Sequence, residues 1–233
     1  MATTEMDRAA LEQAVPFDEE PEAEDAAVDD GAFRGAQVAE RVQARRWVEL
    51  AAGTDGEDAL SGLVHVTAEG VEATDGFRIH RWEGRAGEPG IEPVLTRKAK
   101  VSAMAPLFWP TATAALIDRA VAGRWARIGD PVYLWQVCRA LKGSGRAPLA
   151  PALLTLGQFR VALHPGYLAD ALSFGGKPVE GQAYELRLPE GIGPVAVLSP
   201  TRPEAIAVIQ LMKVQRGWAV PLEAVGRVEW AEG

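Results

Sequence analysis

After residue 60, apolar side chains recur at every second position in segment after segment. A period of two is what strands with one buried face require. In GLVHVTA, Val64, Val66 and Ala68 fall on one side, and in AYELRL, Tyr184, Leu186 and Leu188 alternate with Glu185 and Arg187. FRIHRW, ALLTL, FRVAL, PVAVL and AIAVIQLM read as further strands. Helical spacing interrupts this pattern in a few places. Asp130-Pro131 opens the plainest helix: the aspartate can cap first-turn amides, and proline at the first position loses no hydrogen bond. Leu134, Val137, Cys138 and Leu141 then share a face before Gly143. A second helix is expected over about 113–122, with Leu116, Ile117, Ala120 and Val121 inward and Gly123 as its stop. A short third falls in GYLADALSFGG, where Leu168 and Leu172 share a face, and an arginine-rich helix is expected over about 37–51.

Many strands with few helices make the chain an α+β protein. The order helix, strands, helix, strands, then the same again, suggests two similar units, 34–129 and 130–216, with 217–233 as an appended strand or tail. Charge separates the remaining segment from the body. Residues 1–30 hold eleven carboxylates against one basic residue, Arg8, a net −10, whereas positions 31–233 hold 21 acidic and 23 basic residues. So charged a segment, with few large apolar groups, cannot bury enough surface to offset its ordering entropy, and 1–33 is expected to be a disordered acidic tail. Such a tail is a solubilising leader or a segment that occupies a basic surface until nucleic acid or a partner displaces it.

No apolar run approaches the roughly 20 residues of a membrane span. The acidic N-terminus lacks the order of a secretory signal, and the single cysteine, Cys138, allows no intrachain disulfide. A cytoplasmic protein is expected. His65, His80 and His164 stand at no metal-ligand spacing from one another or from Cys138, and Cys138 falls on a helix's apolar face, where a structural thiol belongs. There is no phosphate loop, since GGKP lacks the leading glycine spacing and the Ser/Thr after lysine, and no nucleophile elbow. No catalytic residue, metal or cofactor is expected; an α+β enzyme with scattered site residues is the least supported reading. Basic residues instead gather on the expected helices. Arg34, Arg41 and Arg45 share a sector of the first, with Arg46 counted beside them, and Arg139, Lys142 and Arg146 extend along and past the Asp130 helix. Such stripes attract phosphate without reading sequence; a solvated helix face is the plainer alternative.

The segment ATDGFRIHR reads physically as a tight corner at Asp75-Gly76 followed by a strand. It also resembles the A-T-D-G-H-R-L signature of the bacterial DNA polymerase III beta sliding clamp. ALSGLVHVTAEGVEATDG resembles the strand, turn and strand leading to that signature. FRVALHPGYLADAL resembles a clamp strand with its Y-L-x-D-A-L helix, and GPVAVLSPTRPEAIAVIQLMKV resembles the closing strand pair. The resemblance covers about residues 34–214, with 91–157 matching least. It implies a DNA-clamp-like fold of repeated units, each an antiparallel sheet with two helices facing a central channel, closing as a homo-oligomeric ring around duplex DNA. If six domains close the ring, a two-domain chain forms a trimer.

For DNA, the resemblance implies weak, non-specific phosphate contacts, and the candidates are Arg41, Arg45, Arg46, Arg139, Lys142 and Arg146. It also implies a cleft where a DNA polymerase or other replication protein inserts a short peptide with an aromatic or leucine anchor. Carried over residue by residue, the cleft comprises Thr74, Gly76, Phe77, Arg78, Ile79, Val208 and Met212. Phe77 stands where the family often has histidine, and Gln210 and Leu211 replace methionine and proline. The implied function is a clamp-like processivity factor; the alternative is a clamp-fold adaptor or inhibitor that does not encircle DNA and acts by protein-protein binding.

Overall fold

The computed structural model describes residues 30–53, 60–84, 88–95, 109–143, 151–156, 159–174, 176–189, 191–213 and 220–222. In it the alternating segments join end to end. Strands β1 (Leu63–Val66), β2 (Gly70–Thr74) and β3 (Arg78–Glu83) form an antiparallel meander, with β4 (Gly90–Pro93) outside β1. Far along the chain, β8 (Tyr184–Leu188), β9 (Val195–Ser199) and β10 (Arg202–Ile209) form another, with β5 (Arg124–Ile128) outside β8. Antiparallel pairing of β3 with β10, Ile79 opposite Val208, fuses the two meanders. The result is one eight-stranded sheet of order β4-β1-β2-β3-β10-β9-β8-β5. A smaller sheet contains β6 (Ala152–Leu156), β7 (Phe159–Leu163) and β11 (Val220–Leu222), the last lying parallel to β6.

Strand alternation assigns the two faces of the large sheet. Val66, Ala73, Trp82, Ala207, Val197 and Leu186 belong to one face, in a core shared with α1 (Asp30–Glu49), α3 (Pro131–Gly143) and α4 (Pro165–Ala171). On the other, Ile79, Ala196, Ile206 and Val208 meet Ile117 and Ala120 of α2 (Ala112–Val121). Helix α1 buries Ala44, Trp47 and Val48, the i, i+3, i+4 spacing of one helical face, and Ala51 in the turn that follows continues it into the core. It begins at Asp30 rather than near residue 37, because its first two turns, with Gly31 and Gly35, carry no apolar period to reveal them. Helix α3 starts as its sequence requires: Asp130 Oδ1 accepts from the Tyr133 amide at 2.9 Å.

Trp47 ties the layers together. Its ring stacks on His80 at 4.4 Å and meets Phe174 edge-on at 4.9 Å. Its carbonyl accepts from His80 Nδ1 at 2.9 Å, and its Nε1 donates to the Asp170 carbonyl at 3.0 Å. Truncating so buried a tryptophan to alanine costs about 3–5 kcal/mol. Helix α1 is thereby fixed to β3 and α4, two of the elements around the site.

Candidate functional site

Every residue of the Thr-Asp-Gly corner has a mechanical task. Thr74 Oγ1 donates to the Arg78 carbonyl at 2.6 Å and accepts from the Gly76 amide at 3.0 Å. Asp75 Oδ1 accepts from the amides of Phe77 and Arg78, both at 3.1 Å. Gly76 takes φ 85°, a conformation glycine adopts without steric cost. The corner therefore sends Phe77 outward, 60% exposed, and turns Arg78 into the protein.

Inside, the Arg78 guanidinium meets two carboxylates and a ring. Nε donates to Asp75 Oδ2 at 3.0 Å, Nη1 donates to Asp170 Oδ2 at 2.7 Å, and Cζ lies 4.3 Å from the centre of the Tyr167 ring. Lys142 Nζ reaches both oxygens of Asp170 at 3.1 Å. Burial alone would raise the Asp170 carboxyl, but Arg78 and Lys142 together hold it below its usual range. At the start of α4, His164 Nδ1 accepts from the Tyr167 amide at 3.3 Å, and burial followed by Arg78 and Lys142 lowers its pKa. A neutral imidazole is the form that can cap the helix. Burial and the nearby Asp75 raise the Tyr167 phenol.

Two pockets open over this framework. The first, about 160 Å³, is lined by Thr74, Gly76, Phe77, Arg78, Ile79, Val208 and Gln210, with Leu60, Pro110, Ala112, Thr113, Leu116 and Pro194 completing it. The second, about 340 Å³, is lined by Phe77, His164, Tyr167, Gln210, Leu211, Met212 and Lys213. They share Phe77 and Gln210, whose backbones are joined by a bond from the Gln210 amide to the Phe77 carbonyl at 2.8 Å. The arrangement is a two-lobed, largely apolar groove crossing the β3–β10 junction. It can bury an extended peptide's apolar side chains and hydrogen-bond its backbone.

The structure thus places six of the expected cleft residues in one pocket and Met212 in the adjoining one. Leu116 does not point inward as its helical period suggests; it is 39% exposed at the cleft, because α2 packs through Ile117 and Ala120. Tyr167 and His164 also line the groove; the tyrosine belongs to the Y-L-x-D-A-L segment, the one sequence signal that points to it. Pro110, Thr113 and Pro194 carry no sequence signal, since only the packing of α2 beside β9 and β10 brings them here.

The basic candidates divide. Arg41, Arg46 and Arg139 are exposed, Arg139 with its guanidinium 5.6 Å from the Trp135 ring. Arg45 is instead drawn to β4: it donates to Glu49 Oε1 at 2.7 Å, Glu92 Oε2 at 2.9 Å and the Pro93 carbonyl at 3.1 Å, leaving its side chain 17% exposed. A buried glutamate one turn on and an edge strand above it compete directly with phosphate. Lys142 is engaged by Asp170, and Arg146 lies outside the described residues. Among the described residues no group of three or more His, Cys, Asp or Glu could hold a metal, and no helix is long and apolar enough to cross a membrane. Cys138 is buried and its thiol is pushed up to about 12.

These features define a clamp-like α+β fold, in which helices back antiparallel meanders that pair edge to edge. Solved DNA polymerase III beta sliding clamps share it. The C. crescentus beta sliding clamp superposes with a TM-score of 0.56 at 17% identity, covering 76% of this chain and 64% of that one. The Bacillus subtilis DNA polymerase sliding clamp matches with 0.54 at 12% identity, covering 77% and 63%, and that of Pseudomonas aeruginosa with 0.53 at 14% identity, covering 75% and 65%. The match therefore spans somewhat under two thirds of those clamps' length. No protein-family model and no curated protein matches the sequence.

Proposed function

We propose that the chain is a sliding-clamp-like processivity factor, a non-enzymatic protein that encircles duplex DNA as a homo-oligomer and tethers a DNA polymerase or other replication protein through the β3–β10 cleft. The observation that carries this reading is the convergence of two segments about 130 residues apart, Thr74–Gly76–Phe77–Arg78–Ile79 and Val208–Met212, on one two-lobed groove. The division into units 34–129 and 130–216 belongs to this proposal, with β5 from the first unit completing the second unit's part of the sheet. So do cytoplasmic localisation and non-specific DNA contact from Arg41, Arg46 and Arg139.

A second reading has its own support. Arg45 and Lys142 are occupied by carboxylates, which favours a clamp-fold adaptor or inhibitor that binds proteins through the cleft without enclosing DNA. Light scattering on the full chain, followed by retention on nicked circular against linear DNA, separates the two. A closed oligomer that stays on circles and runs off linear ends supports the ring. A monomer at all concentrations, with no preference for circles, leaves the adaptor.

A further inference from the structure

The cleft has an unusual charge inventory for a chain of net −8. Neither pocket is lined by a carboxylate; Lys213 lines one, and Arg78 in the other is already paired with Asp75 and Asp170 behind the wall, so Lys213 is the cation the groove presents. Phe77 and Leu116 remain exposed at its mouth. Such a groove is complementary to an apolar side chain followed closely by acidic groups.

The chain itself contains that pattern once in its acidic leader. Phe17 is the single aromatic residue among positions 1–30; Val15 and Pro16 precede it, and Asp18, Glu19 and Glu20 follow directly. Its reach is sufficient. Phe17 lies 13 positions before Asp30, where α1 begins, an extended span of about 45 Å, whereas the 20-residue helix is about 30 Å long. The far end of α1 sits beside the cleft, since Trp47 bonds to Asp170 and Asp170 holds Arg78. A segment leaving the start of α1 can return past the helix and arrive at the groove.

We propose, resting on the reading of the cleft as a peptide site, that residues 15–20 of this chain occupy it, Phe17 in the pocket beside Val208 and the following carboxylates toward Lys213. The leader is then a competitive occupant that a replication protein must displace, and its charge makes the competition weaken as salt rises.

The test uses the full chain, wild type against Phe17→Ala and against a variant with Asp18, Glu19 and Glu20 changed to lysine. The readouts are hydrogen exchange at residues 76–79 and 208–212, and binding of a fluorescein-labelled peptide copying residues 11–22. Both variants are expected to exchange faster in those segments and to bind the labelled peptide at least tenfold more tightly than wild type. Equal, measurable binding by all three with unchanged exchange overturns self-occupation while leaving the cleft reading intact. Protection lost from α1 or α3 instead places the leader on the helix arginines and also overturns it. Peptide binding that Leu116→Glu leaves unchanged, or no binding to any of the three proteins, removes the cleft reading and this inference with it.

Discussion

Arg78 Nη1 and Asp170 Oδ2 stand 2.7 Å apart, linking residues 92 positions apart within the wall of the cleft. Both side chains are nearly inaccessible, at 9% and 7% exposure. A buried pair of this kind is costly to break from one side, because the surviving charge stays in a poorly solvated place. Asp170→Ala leaves Arg78 still paired with Asp75 and is therefore expected to destabilise the protein by about 3 kcal/mol, the low end for a buried pair broken from one side, and the double change Arg78→Met with Asp170→Leu by less. Urea unfolding of the three proteins checks this; a single variant no worse than the double would show that the pair contributes little.

His164 supplies a pH dependence. Its folded pKa is lowered from 6.5, so the unfolded chain takes up the proton more readily, and stability is fully present above 6.5 and declines as pH falls through the folded value. Protonation also removes the Nδ1 acceptor that caps α4. His164→Asn keeps a capping acceptor without titrating near neutrality. The wild type is expected to lose stability between pH 7 and 5 more steeply than the variant in thermal melts; parallel curves would exclude His164 as the source.

Much of the local architecture is legible in the sequence, because its causes are local. The Thr-Asp-Gly corner needs a positive φ at Gly76, Asp130-Pro131 starts α3, and the period-two runs become β1, β8 and β9. Edge strands β4 and β5 leave no such pattern: GIEP and RWARI lack a clean apolar alternation, as strands with one neighbour can. The pairing of β3 with β10 depends on contacts across most of the chain, for which no pattern within either strand gives a register. The same distinction governs the site. Thr74, Gly76, Phe77, Arg78 and Ile79 stand in one contiguous motif that the sequence displays, whereas Leu116 and Tyr167 sit on helices, and His164 caps one, whose placement only tertiary packing decides.

Phe77 and Leu116 separate binding from stability. Both are exposed at the cleft and neither belongs to the buried core. Phe77→Ala and Leu116→Glu are expected to change stability by no more than about 0.5 kcal/mol. Each should weaken a leucine- or phenylalanine-anchored peptide about tenfold or more, as loss of a central apolar contact does. Fluorescence anisotropy with a labelled peptide, beside melts of each variant, reads the two effects apart. Unchanged affinity in both variants would mean that the groove is not the peptide site.

The helix arginines offer a quantitative division between exposed charge that a phosphate backbone could reach and charge used within the fold. Each phosphate contact contributes about 0.9 to the slope of log affinity against log salt. If Arg41, Arg46 and Arg139 touch the backbone, replacing one by glutamine should lower that slope by roughly one and weaken all DNA sequences alike. Arg45→Gln should behave differently, because its guanidinium holds Glu49 and Glu92: stability falls while the slope stays nearly constant. Salt titrations of each variant on a random duplex measure this directly. A slope that drops for Arg45 but not for the other three would invert the assignment and show that the ion pairs to Glu49 and Glu92 open when DNA binds.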